Sequence, residues 1–184
     1  ATIDEEGLYG TQGLNFIIPT SDYDIYSLLG LLNSKLLNFL FSTKFLNLAI
    51  KAEYLKKVQF PKDLKISKVG ELSNRMSKLN IHFFEASNKF QRSLQREFSL
   101  ETLSKKLQNW YELSYAEFLK ELTKAKVNLS LSQKAEWEDY FLAEQQKAVS
   151  IKSQIDQTDK EIDQMVYNLY GLTEEEIEIV ENNK

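Results

Sequence analysis

Three lysines set around one aromatic ring are the residues whose types and spacing best suit chemistry. In the stretch IKAEYLKKVQFP, Lys51, Lys56 and Lys57 flank Tyr54. Ammonium groups can hold phosphates while a neighbouring ring stacks on a base. The same residues can equally form a snorkelling surface, with charged heads in water and stems on apolar ground. Composition alone leaves both readings open.

Other reactive types do not form a recognisable constellation. The chain has no cysteine, which removes thiol catalysis, Cys-based zinc sites and disulfides, and fits a reducing, cytoplasmic compartment. His82 is the single histidine, with no second His or Cys near it, and reads as a partly exposed helical residue. Glu174, Glu175 and Glu176 are contiguous and suit a solvated helix start. Gly7, Gly10 and Gly13 lead into neither a Lys-Ser/Thr phosphate loop nor a strand-loop-helix dinucleotide fingerprint. With no Gly-x-Ser-x-Gly elbow and no His-Glu-x-x-His helix, no active site, metal site or cofactor site is expected within this chain.

Charge is unevenly spread. The net charge of −4 over 184 residues argues against a polyanionic partner at first sight, yet residues 44–126 carry 17 Lys and Arg against 9 Asp and Glu. Residues 127–184 carry 5 against 13. A basic middle and an acidic end are expected of a chain that meets a charged partner from one side; solvated helix faces are the plainer explanation.

YSLLGLLNSKLLNFLF (Tyr26 to Phe41) is the densest apolar block. A helix from about Asp22 to Phe41 is expected, started by Ser21 and Asp24 and buried nearly all round. Asn33, Ser34, Lys35 and Asn38 interrupt it, so a buried core helix is expected and not a membrane span. The acidic start ATIDEEGLYG has no secretion-signal pattern, and no export is expected. The β-branched and aromatic runs Leu14 to Ile18 and Val58 to Phe60 predict short strands.

From Lys68 to about Phe98, the three-four alternation of Val69, Leu72, Met76, Leu79, Phe83, Ala86 and Phe90 predicts a long amphipathic helix. Two short helices follow over 100–126, the second opened by a Ser114 and Glu117 capping box. Their aromatics repeat at helical spacing and belong to a core. Ser130 or Ser132 should cap a very long helix ending at Tyr170 with Gly171 behind it, and Thr173 with Glu176 should open a short last helix. The fold class expected is α+β, mainly α: a small α/β module over residues 1–65, then over residues 66–184 a long antiparallel helical pair with short connecting helices.

The run YSLLGLLNSKLLNFLF followed by IKAEYLKKVQFP resembles the TaqI-like C-terminal specificity domain of bacterial restriction-modification enzymes, in which a Leu-Asn-Ser helix leads to a lysine-rich segment and a short strand ending in proline. The run TDKEIDQMVYNLYGLTEEEIEIVE, from Thr158 to Glu181, is similar to the end of many Eco57I-type adenine-specific DNA methyltransferases, and so is the stretch from Trp110 to Phe141. Together with the stretch from Trp110 to Phe141, these runs cover a little under half of the chain. The resemblance implies a target recognition region of a larger enzyme that methylates adenine with S-adenosylmethionine and that could also cleave DNA. The family's glycine-containing cofactor motif, its Asn-Pro-Pro-Tyr type motif and a Pro-Asp nuclease pattern are all missing here, so those activities are expected outside this chain.

On that resemblance, double-stranded DNA and the parent chain's methyltransferase domain are the expected partners, without a membrane. Lys44, Lys51, Lys56 and Lys57 would hold phosphates, Asn47 and Tyr54 would meet base edges or stack, and the long helices would be a scaffold. The competing reading is a helical protein–protein or dimerisation module with solvent-facing lysines.

Overall fold

A computed structural model describes residues 1–4, 7, 15–18, 23–44 and 52–182. Among the described residues the fold is mainly helical, with eight α-helices and no strand. The helices are α1 (Ile25–Asn33), α2 (Lys35–Lys44), α3 (Ala52–Leu55), α4 (Val69–Phe98), α5 (Lys105–Gln108), α6 (Tyr115–Lys124), α7 (Leu131–Tyr170) and α8 (Glu174–Asn182). Short 3-10 turns span Lys62–Ile66 and Trp110–Glu112. The strands expected at Leu14 to Ile18 and Val58 to Phe60 are absent: residues 15–18 and 58–60 belong to no strand, and Leu14 lies outside the described residues. A β-branched run becomes a strand only when a neighbouring strand satisfies its backbone, and none is present among the described residues. The small α/β module expected near the N-terminus is therefore not what these residues form.

By its contacts the chain divides into two compact units. The first comprises Ala1–Ser77 with Gln157–Lys184, and the second comprises Lys78–Asp156.

In the first unit the apolar block is two helices and not one. Asp24 caps α1, its carboxylate accepting from the Ser27 backbone N–H at 2.8 Å, while Ser21 and Asp22, where the helix start was expected, lie outside the described residues. Ser34 then leaves the helical conformation (φ −63°, ψ 154°), and α1 and α2 bend by 56°. Its hydroxyl donates to the Leu31 carbonyl at 2.7 Å, closing α1, and it stands before α2 where a cap belongs. Burial all round does not follow either. Leu28, Leu31 and Leu37 are buried, whereas Leu29, Leu32, Phe39 and Phe41 are half-buried. No single described helix is long and apolar enough to cross a membrane.

Leu28, Leu31 and Leu37 share their core with Val58, Leu64, Val69, Ile162 and Val166, so α1, α2, the first turn of α4 and the end of α7 pack together. Close approach of α1 and α4 depends on two glycines. A Cβ on Gly30 would lie 2.1 Å from Ser73 Oγ, and one on Gly70 would lie 2.7 Å from Ser27 Oγ. Helix backbones come this near only where a side chain is missing.

The second unit is built on aromatics, as the helical spacing implies. Phe90, Trp110, Phe118 and Phe141 are fully buried, with Phe90 stacked on Trp110 at 3.8 Å between ring centroids. Phe98 meets Trp137 while Phe90 meets Tyr140 and Phe141, so α4 and α7 run antiparallel in this unit. Gln145 of α7 donates to the carbonyls of Tyr111 and Leu113, at 2.9 and 2.6 Å, and ties the turn between α5 and α6 to the long helix. The Ser114 and Glu117 capping box opens α6 with both of its bonds made.

Candidate nucleic-acid interface

The basic segment is positioned from below by the first unit's core. Val58 and Leu64 are buried on either side of Pro61, the rings of Phe60 and Tyr23 lie 5.9 Å apart, and the Tyr170 hydroxyl donates to the Gln59 carbonyl at 2.8 Å. Burial holds the Tyr170 phenol up at about 12. The last residue of α7 thus anchors the chain just beyond the lysines.

Lys44 ends α2 and is exposed. Lys56 and Lys57 form the turn after α3 and are exposed as well, with their backbone N–H groups donating to the Ala52 and Tyr54 carbonyls. Asn47 and Lys51 lie outside the described residues. Tyr54 is only 8% exposed, and the Lys57 ammonium sits 5.9 Å over its ring centroid. That is within reach of a cation–π contact. This turn therefore presents two ammonium groups outward and keeps its ring inside. Among the described residues, no carboxylate lies within ion-pair distance of Lys44, Lys56 or Lys57.

Lys35 differs from these three. Its ammonium pairs with Glu181 of α8 and lies 3.9 Å from the Asp163 carboxylate of α7. Glu181 also accepts from the Tyr167 hydroxyl at 2.8 Å. Asp163 is 3% exposed and accepts the Lys35 backbone N–H at 2.8 Å; burial first, then the nearby Asp159 and Glu181 charges, push it up to about 6 against the pull of Lys35. The Lys35 bond is the main reason Glu181 is held below the usual carboxylate range. Lys35 is thus neutralised within the fold. Sequence reasoning missed this cluster, because nothing local links residues 128 positions apart. His82 is exposed on α4, and among the described residues no three His, Cys, Asp or Glu side chains gather as metal ligands.

With this geometry in view, a family model described as Domain of unknown function (DUF8810) matches residues 62–166, more than half of the chain. The chain belongs to the DUF8810 family. Its matched stretch starts at the 3-10 turn beginning with Lys62, includes all of the second unit, and reaches Asp163 and Val166 of the first core. Lys44, Lys56 and Lys57 precede the DUF8810 match, and Glu181 follows it. No curated protein and no solved structure matches the chain.

Proposed function

We propose that this chain is the DNA target-recognition region of a bacterial, cytoplasmic restriction-modification enzyme, one that positions a separate adenine methyltransferase domain on its site. The observation that carries the reading is the exposure of Lys44, Lys56 and Lys57 without a carboxylate partner, while Lys35 nearby in sequence is paired. Exposed ammoniums without an acidic partner, two of them on the turn that the core holds from beneath, are what phosphate contacts require. The resemblance of the Leu32-Asn33-Ser34 helix and the following lysine-rich segment to TaqI-like specificity domains supplies the rest.

In this reading residues 1–65 recognise DNA, with Lys44, Lys51, Lys56 and Lys57 on phosphates and Asn47 free to meet a base edge. Residues 66–184 are the scaffold. Tyr54 supports Lys57 from beneath and does not stack on a base. Methyl transfer from S-adenosylmethionine, and any cleavage, belong to the parent enzyme.

The test is a salt titration of duplex binding by the 184-residue chain. Replacing Lys44, Lys51, Lys56 and Lys57 by Ala should flatten the slope of log K against log salt by about 3 to 4, since each phosphate contact contributes roughly 0.9. An unchanged slope removes these lysines from any interface.

A second reading, a protein–protein module, is favoured by one observation. In the second unit Ile81, Phe84, Leu142 and Val149 are exposed, at 57%, 67%, 48% and 48%. A tight dimer without DNA affinity, seen by sedimentation, would select it.

A further inference from the structure

From the charge pattern of α4 we infer that its outer face in the second unit is a second phosphate-binding surface, running along a nucleic-acid backbone. Lys78, His82, Lys89, Arg92 and Arg96 are all exposed, and their spacings of four, seven, three and four place them on one gently winding stripe of the helix. Glu85 fills the gap in that stripe. From Lys78 to Arg96 the helix rises about 27 Å, the axial length of roughly eight phosphates of one strand.

Surface lysines and arginines on a long helix commonly pair with acids three or four positions away. On α7 Lys147 pairs with Glu144 and Lys152 with Asp156, while Lys134 and Lys160 make no ion pair among the described residues. On α4, Lys78, Lys89, Arg92 and Arg96 make no ion pair among the described residues. Four cations share this face with Glu85 as the one acid in the stripe, and an extended polyanion relieves the remaining repulsion along its length. Arg92 and Arg96, one turn apart, each carry a planar fork suited to phosphate oxygens.

The nature of the polyanion follows from what accompanies the charges. A lipid surface would call for apolar residues interleaved with the cations along the stripe. Exposed large apolar residues on α4 are Ile81 and Phe84, beside the N-terminal half alone; the half from Lys89 to Arg96 has none among the described residues. Phosphates without lipid fit that half better. The choice of duplex DNA as the carrier of those phosphates rests on the function proposed above, whereas the surface itself does not.

The experiment measures binding of the 184-residue chain to a duplex of about two turns over a range of salt, beside anionic phospholipid vesicles. One variant carries Lys78→Gln, Lys89→Gln, Arg92→Gln and Arg96→Gln; another carries the four loop Lys→Ala changes. Helical content by circular dichroism checks folding, and an Arg92→Lys, Arg96→Lys protein that keeps the charge should keep most of the slope. The α4 variant is expected to flatten the salt slope by about 3 to 4. If it does and the loop variant does not, the α4 surface stands and the loop site falls. A flattened slope in the loop variant with α4 unchanged overturns this inference and leaves the proposed function intact. If neither changes, both fall, and binding to vesicles without binding to duplex overturns the inference in favour of a membrane surface. Should the fourfold variant misfold, the Arg92→Gln, Arg96→Gln pair is expected to flatten the slope by about 2, and no change there is equally decisive.

Discussion

The backbone N–H of Lys35 donates to the carboxylate of Asp163, 128 residues further along the chain, at 2.8 Å. The first N–H groups of a helix have no partner inside it, and here a side chain from α7 supplies one at the start of α2. Lys35 then turns its ammonium to Glu181, so one residue joins α2 to both α7 and α8. Asp163's second oxygen is buried without a hydrogen-bond partner, which is why the charged form is held at a cost.

Stability should therefore depend on pH through Asp163. Its folded value of about 6 lies above the ordinary 3.8, so between those values the folded chain binds the extra proton and the unfolded chain does not. The contribution is present in full below about pH 4 and is lost as pH rises through 6, an effect of about 3 kcal/mol. Glu181 is shifted the other way, and its contribution, present above the ordinary 4.5 and lost as pH falls below it, overlaps only the acidic end of that window and is common to parent and variant. Asp163→Asn keeps an acceptor for the Lys35 N–H without the charge. Urea titrations should find it more stable than the parent at pH 8 and equal to it at pH 4. A difference that ignores pH would show that the charge is not what matters.

Gly30 is expected to be intolerant of even one carbon. Beyond Ser73 Oγ at 2.1 Å, a new Cβ would stand 2.8 Å from Val69 Cγ1, and the Ser73 hydroxyl is itself held by its bond to the Val69 carbonyl at 2.7 Å. Gly30→Ala should cost about 1–3 kcal/mol by overpacking. Combining it with Ser73→Ala should recover part of that, since the Val69 contact remains. A double-mutant cycle measured by chemical denaturation gives the coupling, and strict additivity would show that the two helices separate without resistance.

Three helices end in the same left-handed turn with different residues. Gly171 (φ +66°), Ser99 (φ 51°) and Lys126 (φ 63°) follow α7, α4 and α6, and in each case the next residue's N–H donates to a carbonyl five positions back. Only glycine takes that conformation without a Cβ clash, and the difference is about 1 kcal/mol. Gly171→Ala should lower stability by about that amount, while Lys126→Gly and Ser99→Gly should raise it or leave it unchanged. Thermal denaturation of the three variants checks the opposite signs.

Much of the helical layout was legible because its signals are local. The seam of α4, the capping boxes at Ser114 and Thr173, a serine cap before α7, which the structure gives to Ser130 and not Ser132, and Gly171 behind α7 all lie within a few residues of what they control. The aromatic core of the second unit was legible for the same reason, since Phe90 closes the three-four seam of α4 and Tyr111, Tyr115 and Phe118 repeat at helical spacing. In the candidate interface, the exposure of Lys44, Lys56 and Lys57 follows from lysine's own chemistry. The burial of Tyr54 does not, because a ring beside lysines can face either way and the core beneath decides.

The amino-acid sequence by itself determined where most helices begin and end and which of their faces are apolar, since propensity, capping and periodicity are properties of neighbouring residues. Only the tertiary structure decided that the apolar block breaks at Ser34 and that residues 15–18 and 58–60 belong to no strand. It also decided that Gln157–Lys184 folds with the N-terminal residues, and which cations are neutralised. Each of those outcomes depends on a partner far along the chain. Asp163 for Lys35 is an example, and local patterning carries no information about such partners.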